Sequence, residues 1–239
     1  MTATNLLEIK LARRESIPNA DLELLRGLKR NERVVDAHED LITEGDNPSA
    51  VTLILEGFAC RYKLLPDGQR SIMAYLLPGD ICDLHVALLG EMDHSIATLS
   101  ECRVSRIDKT TVSELEERPH LRRALWLSQL VDHAISRQWI INLARRRGDK
   151  MIAHLMCEIL SRLQAVGLAA DDSFAFPVTQ GELGDTLGVS TVHVNRMLAQ
   201  LRNKGLIAQQ GRNVQVLNFQ NLSHYCDFDA RYLHLEAGQ

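Results

Sequence analysis

Short apolar runs alternate with glycine-containing turns through the first half of the chain. The apolar runs cover residues 51–55, 71–77 and 95–99, and the turns include the stretches EGDNP, LPDGQ and LPGD. Glycines recur every 11 or 12 residues in this part of the chain, at Gly45, Gly57, Gly68, Gly79 and Gly90. Short strands at such spacing favour a sandwich, roll or barrel over strands that alternate with long helices. The pattern therefore predicts a β domain over about residues 31–110.

The apolar residues change to helical spacing between Thr111 and Gln164, where the chain has a single proline and a single glycine. We expect a short helix that ends near Pro119, followed by a long helix of about 25 residues, or roughly 38 Å. The long helix carries two mainly apolar stripes, one of Ala124, Leu127, Val131, Ala134, Gln138 and Ile141, the other of Leu121, Leu125, Ile135 and Trp139. One stripe could pack on the β domain and the other on a twin helix in a parallel coiled coil. The alternative is a helix buried entirely within one subunit.

The segment ARRRGD at residues 144–149 ends or bends this helix at Gly148. We interpret the segment as a solvated hinge, although its three arginines could also contact a phosphate backbone. Helical spacing resumes from Met151 to Gln164, and the stretch AVGLAADDS then forms a loop. We therefore divide the chain into an N-terminal helix with the β domain (1–118), the long helix with its hinge (119–148), and a second domain with a C-terminal tail (149–239).

The second domain contains a helix-turn-helix pattern in the stretch QGELGDTLGVSTVHVNRMLAQL. Gly184 would let two helices cross closely, and Gly188 can adopt the positive φ that a tight turn needs. Apolar residues for the small core between these helices occur at Leu183, Leu187, Val189, Val194 and Met197. Thr179 and Glu182 can form a capping box for the first helix, and Ser190 can cap the second. These linked positions predict a DNA-binding motif; the alternative is a helical hairpin without a nucleic-acid role.

The second helix of this pair would place its exposed face in the major groove of DNA. The residues that we expect to contact bases are Thr191, Val192, His193, Asn195 and Arg196. Arginine can pair with guanine and asparagine with adenine, whereas valine offers only an apolar contact to a thymine methyl group. Gly205 ends the helix, and LIAQQGRNVQVLN predicts a two-stranded wing that turns at Gly211. The residues that we expect to contact phosphates are Thr179, Ser190, Arg202, Lys204 and Arg212. For Arg202 and Lys204 the alternative is a solvated helix face.

Composition and charge agree with a DNA-binding protein of two globular parts. The 239 residues are 45% hydrophobic and 24% charged, and their net charge is -4. Charge is uneven, because the segment from Gly188 to Asn213 has four basic residues and no acidic residue. No apolar run approaches the roughly 20 residues that span a bilayer, and the N-terminus lacks the apolar core of a secretory signal. We therefore expect a cytoplasmic protein without membrane contact.

The cysteines and the missing catalytic motifs narrow the range of functions. The five cysteines are widely spaced and include no CxxC pair, which indicates reduced thiols. The chain has no P-loop, GxSxG or HExxH motif and no GxGxxG after a predicted strand. We therefore expect no catalytic residues and no enzymatic activity.

The arrangement of β domain, long helix and winged helix-turn-helix resembles the CRP/FNR family of bacterial transcription regulators over about residues 20–220. The motifs that carry the resemblance are the LPDGQR turn, the PGD turn, the NLA before the hinge and the stretch TQGELGDTLGVSTVHVNRML. The resemblance implies an α+β fold with an N-terminal β-roll of the jelly-roll, double-stranded β-helix type, a long dimerisation helix and a C-terminal winged helix-turn-helix. It also implies a homodimer that binds a near-palindromic operator in double-stranded DNA, with half-sites about one helical turn apart. RNA polymerase is a further partner that the resemblance implies.

The roll departs from the cyclic-AMP-binding members of that family in its effector pocket. Those members have a Gly-Glu pair after the PGD turn and a later Arg-Ser pair, where this chain has Asp-Leu and His-Ser. A carboxylate repels phosphate, leucine cannot bond a ribose hydroxyl, and neutral histidine lacks the permanent charge of arginine. We therefore expect no cyclic nucleotide in the pocket. The candidate effector-pocket residues, including two aligned positions of the long helix, are Asp83, Leu84, His94, Ser95, Ser136 and Arg137.

The sequence predicts no resident cofactor. The iron-sulfur members of the family carry a cysteine cluster before the roll, whereas this chain has no cysteine before Cys60. Cys82 and His85, beside Asp83 and near His94, could form a metal or haem ligand set. The alternative, which we favour, is a thiol and imidazoles that bind no metal.

Two features concern how the protein would act. Val192 replaces a glutamate that is frequent in the family's recognition helix, so we expect an operator partly unlike the family's best-known ones. The aromatic stretch at residues 222–235 predicts a segment docked on the DNA-binding domain or on the roll.

Our leading hypothesis is a DNA-binding regulator whose roll senses a small molecule or no longer senses one. The alternative is a module whose roll binds a small ligand or a partner protein, with the winged helix as a scaffold.

Overall fold

The computed structural model describes residues 6–84 and 90–235, which form two compact units. The first unit ends at Leu130 and the second is Val131–Leu235, so the division falls inside the long helix. The boundaries that we predicted after residues 118 and 148 follow the ends of secondary-structure elements instead. These domain boundaries stay a prediction, because the two compact units meet at a different place in the chain.

The N-terminal segment before the roll is helical. Helix α1 spans Leu6–Ala12, helix α2 spans Asn19–Gly27, and a 3-10 turn follows at Leu28–Asn31. Leu7 and Leu11 of α1 and Leu25 of α2 are buried in the core of the first unit. These helices therefore close one side of the roll with apolar side chains.

The roll consists of eight strands, among the described residues, in two antiparallel sheets. The strands are β1 (Glu32–Val35), β2 (Asp40–Ile42), β3 (Ala50–Glu56), β4 (Ala59–Leu64), β5 (Arg70–Leu76), β6 (Ile81–Cys82), β7 (Ser95–Thr98) and β8 (Cys102–Asp108). Their order is β1-β8-β3-β6 in one sheet and β2-β7-β4-β5 in the other. This order is that of a double-sheet jelly roll, which confirms the predicted fold class. One apolar cluster joins the two sheets, with Leu53 from the first and Ile96 from the second fully buried.

The long helix buries residues from both of its predicted stripes within the chain. Helix α3 spans Lys109–Glu117, and helix α4 spans Pro119–Arg145. The buried residues of α4 come from both stripes and are Leu121, Ala124, Leu125, Val131, Ala134, Ile135 and Trp139. The stripes are neighbours on a helix of 3.6 residues per turn, so they merge into one broad buried face. Within this single chain Leu127, Gln138 and Ile141 of the first stripe are not buried, and packing of a stripe on a twin helix stays a prediction. The exposed apolar residues are Ile141 of the first stripe together with Trp126, Leu130 and Ile140, which belong to neither stripe.

The second unit is a winged helix-turn-helix built on a central buried helix. Its helices are α5 (Asp149–Ala165), α6 (Gln180–Leu187), α7 (Thr191–Asn203) and α8 (Phe219–Cys226), and its strands are β9 (Ser173–Ala175), β10 (Ile207–Gln210) and β11 (Asn213–Val216). Nearly every residue of α5 is buried, which follows from its apolar sequence. The β10-β11 hairpin turns at Gly211 and Arg212, as predicted for the wing. The C-terminal segment, with α8 and a 3-10 turn at Ala230–Leu233, docks on α5.

Candidate DNA-binding surface and effector pocket

The helix-turn-helix forms because a cap and two glycines agree with its geometry. Thr179 Oγ1 accepts a hydrogen bond from the backbone N–H of Glu182 at 3.2 Å, and Thr179 N donates to the Glu182 carboxylate at 2.7 Å. This is the capping box predicted from the sequence. Gly188 has φ +66° in the turn, and a Cβ at Gly184 would lie 2.7 Å from the carbonyl oxygen of Val189. Any other residue would be strained at the first position and would clash at the second.

The predicted base-contacting residues share one exposed surface of α7. All five are exposed, namely Thr191, Val192, His193, Asn195 and Arg196. Val192 is 69% exposed although it is apolar, while Val194 and Met197 on the other side of α7 are buried. Arg196 forms no ion pair or side-chain hydrogen bond within the described part of the chain. Its guanidinium is therefore available to a ligand outside the protein.

Gln200 belongs to the same surface and was missed by the sequence analysis. It is exposed and lies four residues after Arg196, so the two side chains are neighbours on the helix. That spacing was the signal that could have identified it. A glutamine amide can pair with adenine in the same way as asparagine.

The predicted phosphate contacts differ in how their side chains are held. Thr179 and Ser190 each accept a backbone N–H as helix caps, at 3.2 and 3.4 Å. Arg202 is exposed and donates from Nη1 to Oε1 of Gln209 in β10 at 3.4 Å, at the long end of hydrogen-bond range. Arg212 is exposed in the turn of the wing. Contact of these residues with phosphates stays a prediction.

The side chain of Lys204 binds two other residues of the second unit. Its Nζ lies 2.6 Å from Oδ2 of Asp149 and also donates to the hydroxyl of Tyr225. The hydrogen bond to Asp149, followed by that to Tyr225, raises the pKa of Lys204. Neither partner was identified from the sequence, since Asp149 and Tyr225 are 55 and 21 residues away. The geometry assigns Lys204 a structural contact, and a phosphate contact would have to compete with it.

Two of the effector-pocket candidates, Asp83 and His94, form a buried charge cluster with Arg61. Asp83 is 1% exposed, and its carboxylate accepts from Nε of Arg61 at 3.1 Å and contacts Nε2 of His94 at 3.3 Å. Nδ1 of His94 contacts Asp93 at 2.6 Å. Burial opposes the charged imidazole, but the hydrogen bond and charge of Asp83 outweigh it, so the pKa of His94 is raised. Asp83 is thus neutralised by groups of the protein itself.

The other candidates of the pocket have ordinary structural environments. Leu84 belongs to the apolar core of the roll, and the hydroxyl of Ser95 accepts a backbone N–H at 2.9 Å. Ser136 and Arg137 are exposed in the second unit. His85, proposed as a metal ligand, lies outside the described residues. Within residues 6–84 and 90–235, no group of three or more His, Cys, Asp or Glu residues could hold a metal ion.

One arginine of the hinge holds the C-terminal segment. Arg146 donates from Nε to the carbonyl oxygen of Cys226 at 2.8 Å, and from Nη2 to that of Asp227 at 2.9 Å. Its neighbours Arg145 and Arg147 are exposed. The hinge is therefore only partly the solvated segment that we predicted, because its middle arginine is anchored.

Buried titratable groups lie where the C-terminal segment covers α5. His154 is 1% exposed and its ring packs against those of Phe228 and Tyr232, at 5.2 and 6.1 Å between centroids. Burial, with a contribution from the charge of Arg146, lowers the pKa of His154 to about 4. Glu158, one turn later, accepts the hydroxyl of Tyr232 at 2.8 Å, and burial raises its pKa.

Two family models match the chain, one for each unit. The cyclic nucleotide-binding domain matches residues 32–118, and the Crp-like helix-turn-helix domain matches residues 151–225. The first match covers the roll, and the second covers the candidate DNA-binding surface. Together they give the same two-part architecture as the coordinates.

Curated relatives and solved structures agree with those matches. The chain is 29% identical over 171 residues to the nitrogen fixation regulation protein FixK of Bradyrhizobium diazoefficiens, which covers 71% of each chain. It is 28% identical over 195 residues to the transcriptional activator protein FnrL of Cereibacter sphaeroides, covering 80% and 78%. The structure of FixK2 from Bradyrhizobium japonicum superposes with a TM-score of 0.71 at 24% identity, over 87% of this chain and 98% of that one. A CRP-family regulator from Thermus thermophilus has a TM-score of 0.60 at 20% identity, over 86% and 100%.

Proposed function

Because this chain belongs to the CRP/FNR family of transcription regulators, we propose that it is a sequence-specific DNA-binding regulator that inserts α7 into the major groove. The observation that carries the proposal is the exposed guanidinium of Arg196, which has no partner among the described residues and lies beside Asn195 and Val192 on one helix face. A solvent-exposed valine has no structural use on that face. In the major groove, a thymine methyl group would cover the valine side chain and remove it from water.

The chemistry of α7 defines the kind of operator. Arg196 pairs with O6 and N7 of a guanine, and Asn195 or Gln200 pairs with an adenine. Thr191 and His193 lie at the edge of the same surface and complete the set of base contacts. Each paired contact is worth about 1–3 kcal/mol of discrimination against a wrong base.

Phosphate contacts would position α7 in the groove. Arg212 in the wing and Arg202 near the end of α7 are exposed on the domain that carries the recognition surface. The N-terminus of α6 and the cap residue Ser190 add backbone and hydroxyl donors. Such contacts carry no sequence information, but they make affinity depend on salt.

A homodimer is the assembly that suits this regulator. The exposed apolar side chains of α4, Trp126, Leu130, Ile140 and Ile141, lie on the face opposite its buried side. Their spacing lets one stripe of the helix pack against the same stripe of a second copy. A two-fold dimer presents two recognition helices to half-sites about one helical turn apart, so the operator is a near-palindrome.

The roll acts without a cyclic nucleotide in this proposal. Asp83 aligns with the glycine of the pair that the family's cyclic-AMP-binding members use for phosphate and ribose, and its carboxylate already contacts Arg61 and His94. A phosphate there would have to break this ion cluster and face the freed carboxylate. An iron-sulfur cluster and a metal form no part of the proposal.

The cellular setting that we infer is that of a transcription regulator. No described helix is long and apolar enough to cross a membrane. We infer a cytoplasmic protein without catalytic activity that meets RNA polymerase on DNA, since the relatives that it matches are named as a regulation protein and a transcriptional activator.

The decisive test uses Arg196→Ala, with Arg33→Ala as a matched control. Both arginines are exposed and lack a side-chain partner among the described residues, but Arg33 lies in β1 of the roll. Gel retardation of DNA from upstream of the protein's own gene should weaken about 10-fold to 100-fold for Arg196→Ala and stay unchanged for the control. Unchanged affinity of Arg196→Ala would favour the alternative, in which the winged helix is a scaffold and the roll binds a ligand or partner protein.

A further inference from the structure

Two buried thiols of the second unit lie in contact with each other. Sγ of Cys157 in α5 is 4.0 Å from Sγ of Cys226, the last residue of α8. Both residues are fully buried, and neither forms a disulfide. A disulfide requires the sulfurs to approach to about 2.05 Å, so a displacement of about 2 Å would bond them. Because Cys226 closes its helix, movement of the last turn of α8 can supply that displacement.

A cation lies beside one of the two thiols. Arg146 donates to the carbonyl oxygens of Cys226 and Asp227, while its Nη1 is buried without a hydrogen-bond partner among the described residues. The hydrogen bond with Cys157 and the charge of Arg146 lower the pKa of the Cys226 thiol. The same hydrogen bond, together with burial, raises the pKa of Cys157. The pair is therefore unequal, and the lowered pKa of Cys226 favours its thiolate, the reactive form, over that of Cys157.

Cys226 also connects to the end of the recognition helix. Its neighbour Tyr225 donates its hydroxyl to Oδ2 of Asp149 at 2.8 Å and accepts a hydrogen bond from Lys204. Lys204 is the C-terminal cap residue of α7. A shift at the end of α8 would therefore disturb the contacts that hold both the hinge arginine and the base of the DNA-reading helix.

We propose that Cys157 and Cys226 are a redox-sensitive pair that hydrogen peroxide oxidises to a disulfide, displacing the end of α8 and weakening DNA binding. The DNA-binding part rests on the proposed function. The Cys226 thiolate attacks a peroxide oxygen, which breaks the O–O bond, forms a sulfenic acid and releases hydroxide that takes up the thiol's proton as water. Cys157 then attacks that sulfur, and the sulfenic oxygen leaves as a second water. The two sulfurs lose two electrons, which the peroxide gains.

The test starts from the full chain, reduced with a phosphine and then treated with hydrogen peroxide. Intact mass should fall by two hydrogen atoms, and peptide mapping should recover a peptide pair joined through residues 157 and 226. Cys157→Ala should stop at a sulfenic acid on Cys226 that dimedone labels, since the resolving thiol is gone. Cys102→Ala is the matched control, because Cys102 is equally buried but lies in the roll, and it should form the disulfide normally.

Two further readouts follow the consequence of the bond. Hydrogen exchange of residues 200–205 and 219–226 should accelerate on oxidation, and DNA affinity should fall about tenfold. Affinity should recover on reduction, and in Cys226→Ala the same peroxide should change neither readout. Failure to form the 157–226 disulfide, or its formation with unchanged exchange, overturns the proposal. If the reduced wild type binds no specific DNA, the proposed function fails, while mass and exchange still decide the thiol pair.

Discussion

Nζ of Lys204, at the C-terminal cap of the recognition helix, lies 2.6 Å from Oδ2 of Asp149, the first residue of α5. Each charge also suits its own helix, because a cation favours the C-terminal end of a helix dipole and an anion favours the N-terminal end. Tyr225 completes the contact, with its ring 4.5 Å from Nζ and its hydroxyl on the same carboxylate oxygen. The recognition helix is thus tied to the central helix of its domain at the end away from the base-contacting residues.

Loss of the contact between Lys204 and Asp149 should lower the stability of the protein more than it changes the preference for a DNA sequence. We expect Asp149→Asn to reduce the free energy of unfolding by about 1 kcal/mol, because half-exposed Lys204 is screened by water. Urea titration measures the change. Asp227→Asn is the matched control, since its 3.7 Å pair with Lys150 is largely exposed, and it should cost less than about 0.5 kcal/mol. Equal losses in both variants would show that the contact with Asp149 has no special role.

The charge cluster of the roll should be structural. Asp83→Ala leaves the largely buried cation of Arg61 without its carboxylate, so we expect a loss of about 3 kcal/mol in urea titration. Asp93→Ala is the matched control, because that carboxylate also contacts His94 but is 83% exposed. It should cost about 0.5 kcal/mol. A neutral outcome for Asp83→Ala would instead point to a site kept for a ligand.

Cyclic nucleotides should not bind to the wild-type roll. Isothermal titration with cyclic AMP or cyclic GMP at millimolar concentration should give no binding heat, and DNA retardation should be the same with and without either nucleotide. The physical reason is that the carboxylate of Asp83 would repel a phosphate and is already held by Arg61 and His94. Saturable heat at one site per chain would contradict the proposed pocket.

Acid should destabilise the second unit through His154. The pKa of this residue falls from about 6.5 in the unfolded chain to about 4 in the folded one. As pH falls, the unfolded state therefore binds the proton first. The contribution of His154 to the free energy of unfolding is complete above about pH 6.5 and is lost as pH falls towards 4. The total loss is about 3 kcal/mol at 1.36 kcal/mol per pKa unit.

The measurement for His154 compares urea titrations of wild type and His154→Phe at several pH values between 7.5 and 4. Phenylalanine keeps a ring against Phe228 and Tyr232 but has no proton to gain. The raised pKa of Glu158 acts in the opposite sense, since its contribution is lost as pH rises, and it is present in both proteins. Their difference therefore isolates His154, and a pH-independent difference would disprove the assignment.

The exposed apolar face of α4 should be the dimer interface. Leu130→Glu places a charge in the centre of that face, so sedimentation at micromolar concentration should show monomers and operator affinity should fall at least about 100-fold. Leu130→Met keeps an apolar side chain of similar size and should remain a dimer. A wild-type monomer, or a dimer that tolerates glutamate at this position, would exclude this interface.

Local sequence determined the elements and the recognition surface. The glycine turns predicted the roll, and the capping box of Thr179 with Glu182 and the glycines at Gly184 and Gly188 predicted the helix-turn-helix, because these signals act within a few residues. The exposed face of α7 followed from helical period alone. Except for Gln200, the residues that we expect to contact DNA could therefore be named before the structure was known, and their contacts with DNA stay predictions.

Tertiary structure decided which groups meet and which apolar surface stays exposed. Arg61 reaches Asp83 across 22 residues, Lys204 reaches Asp149 across 55, and Cys226 reaches Cys157 across 69. No periodicity encodes such pairs, because they depend on how separate elements pack. The same holds for α4, where the spacing of apolar residues was visible but not which of them the rest of the chain covers. When a helix is apolar on several sides, the elements that pack against it determine which side is buried, because burial of apolar surface lowers the free energy.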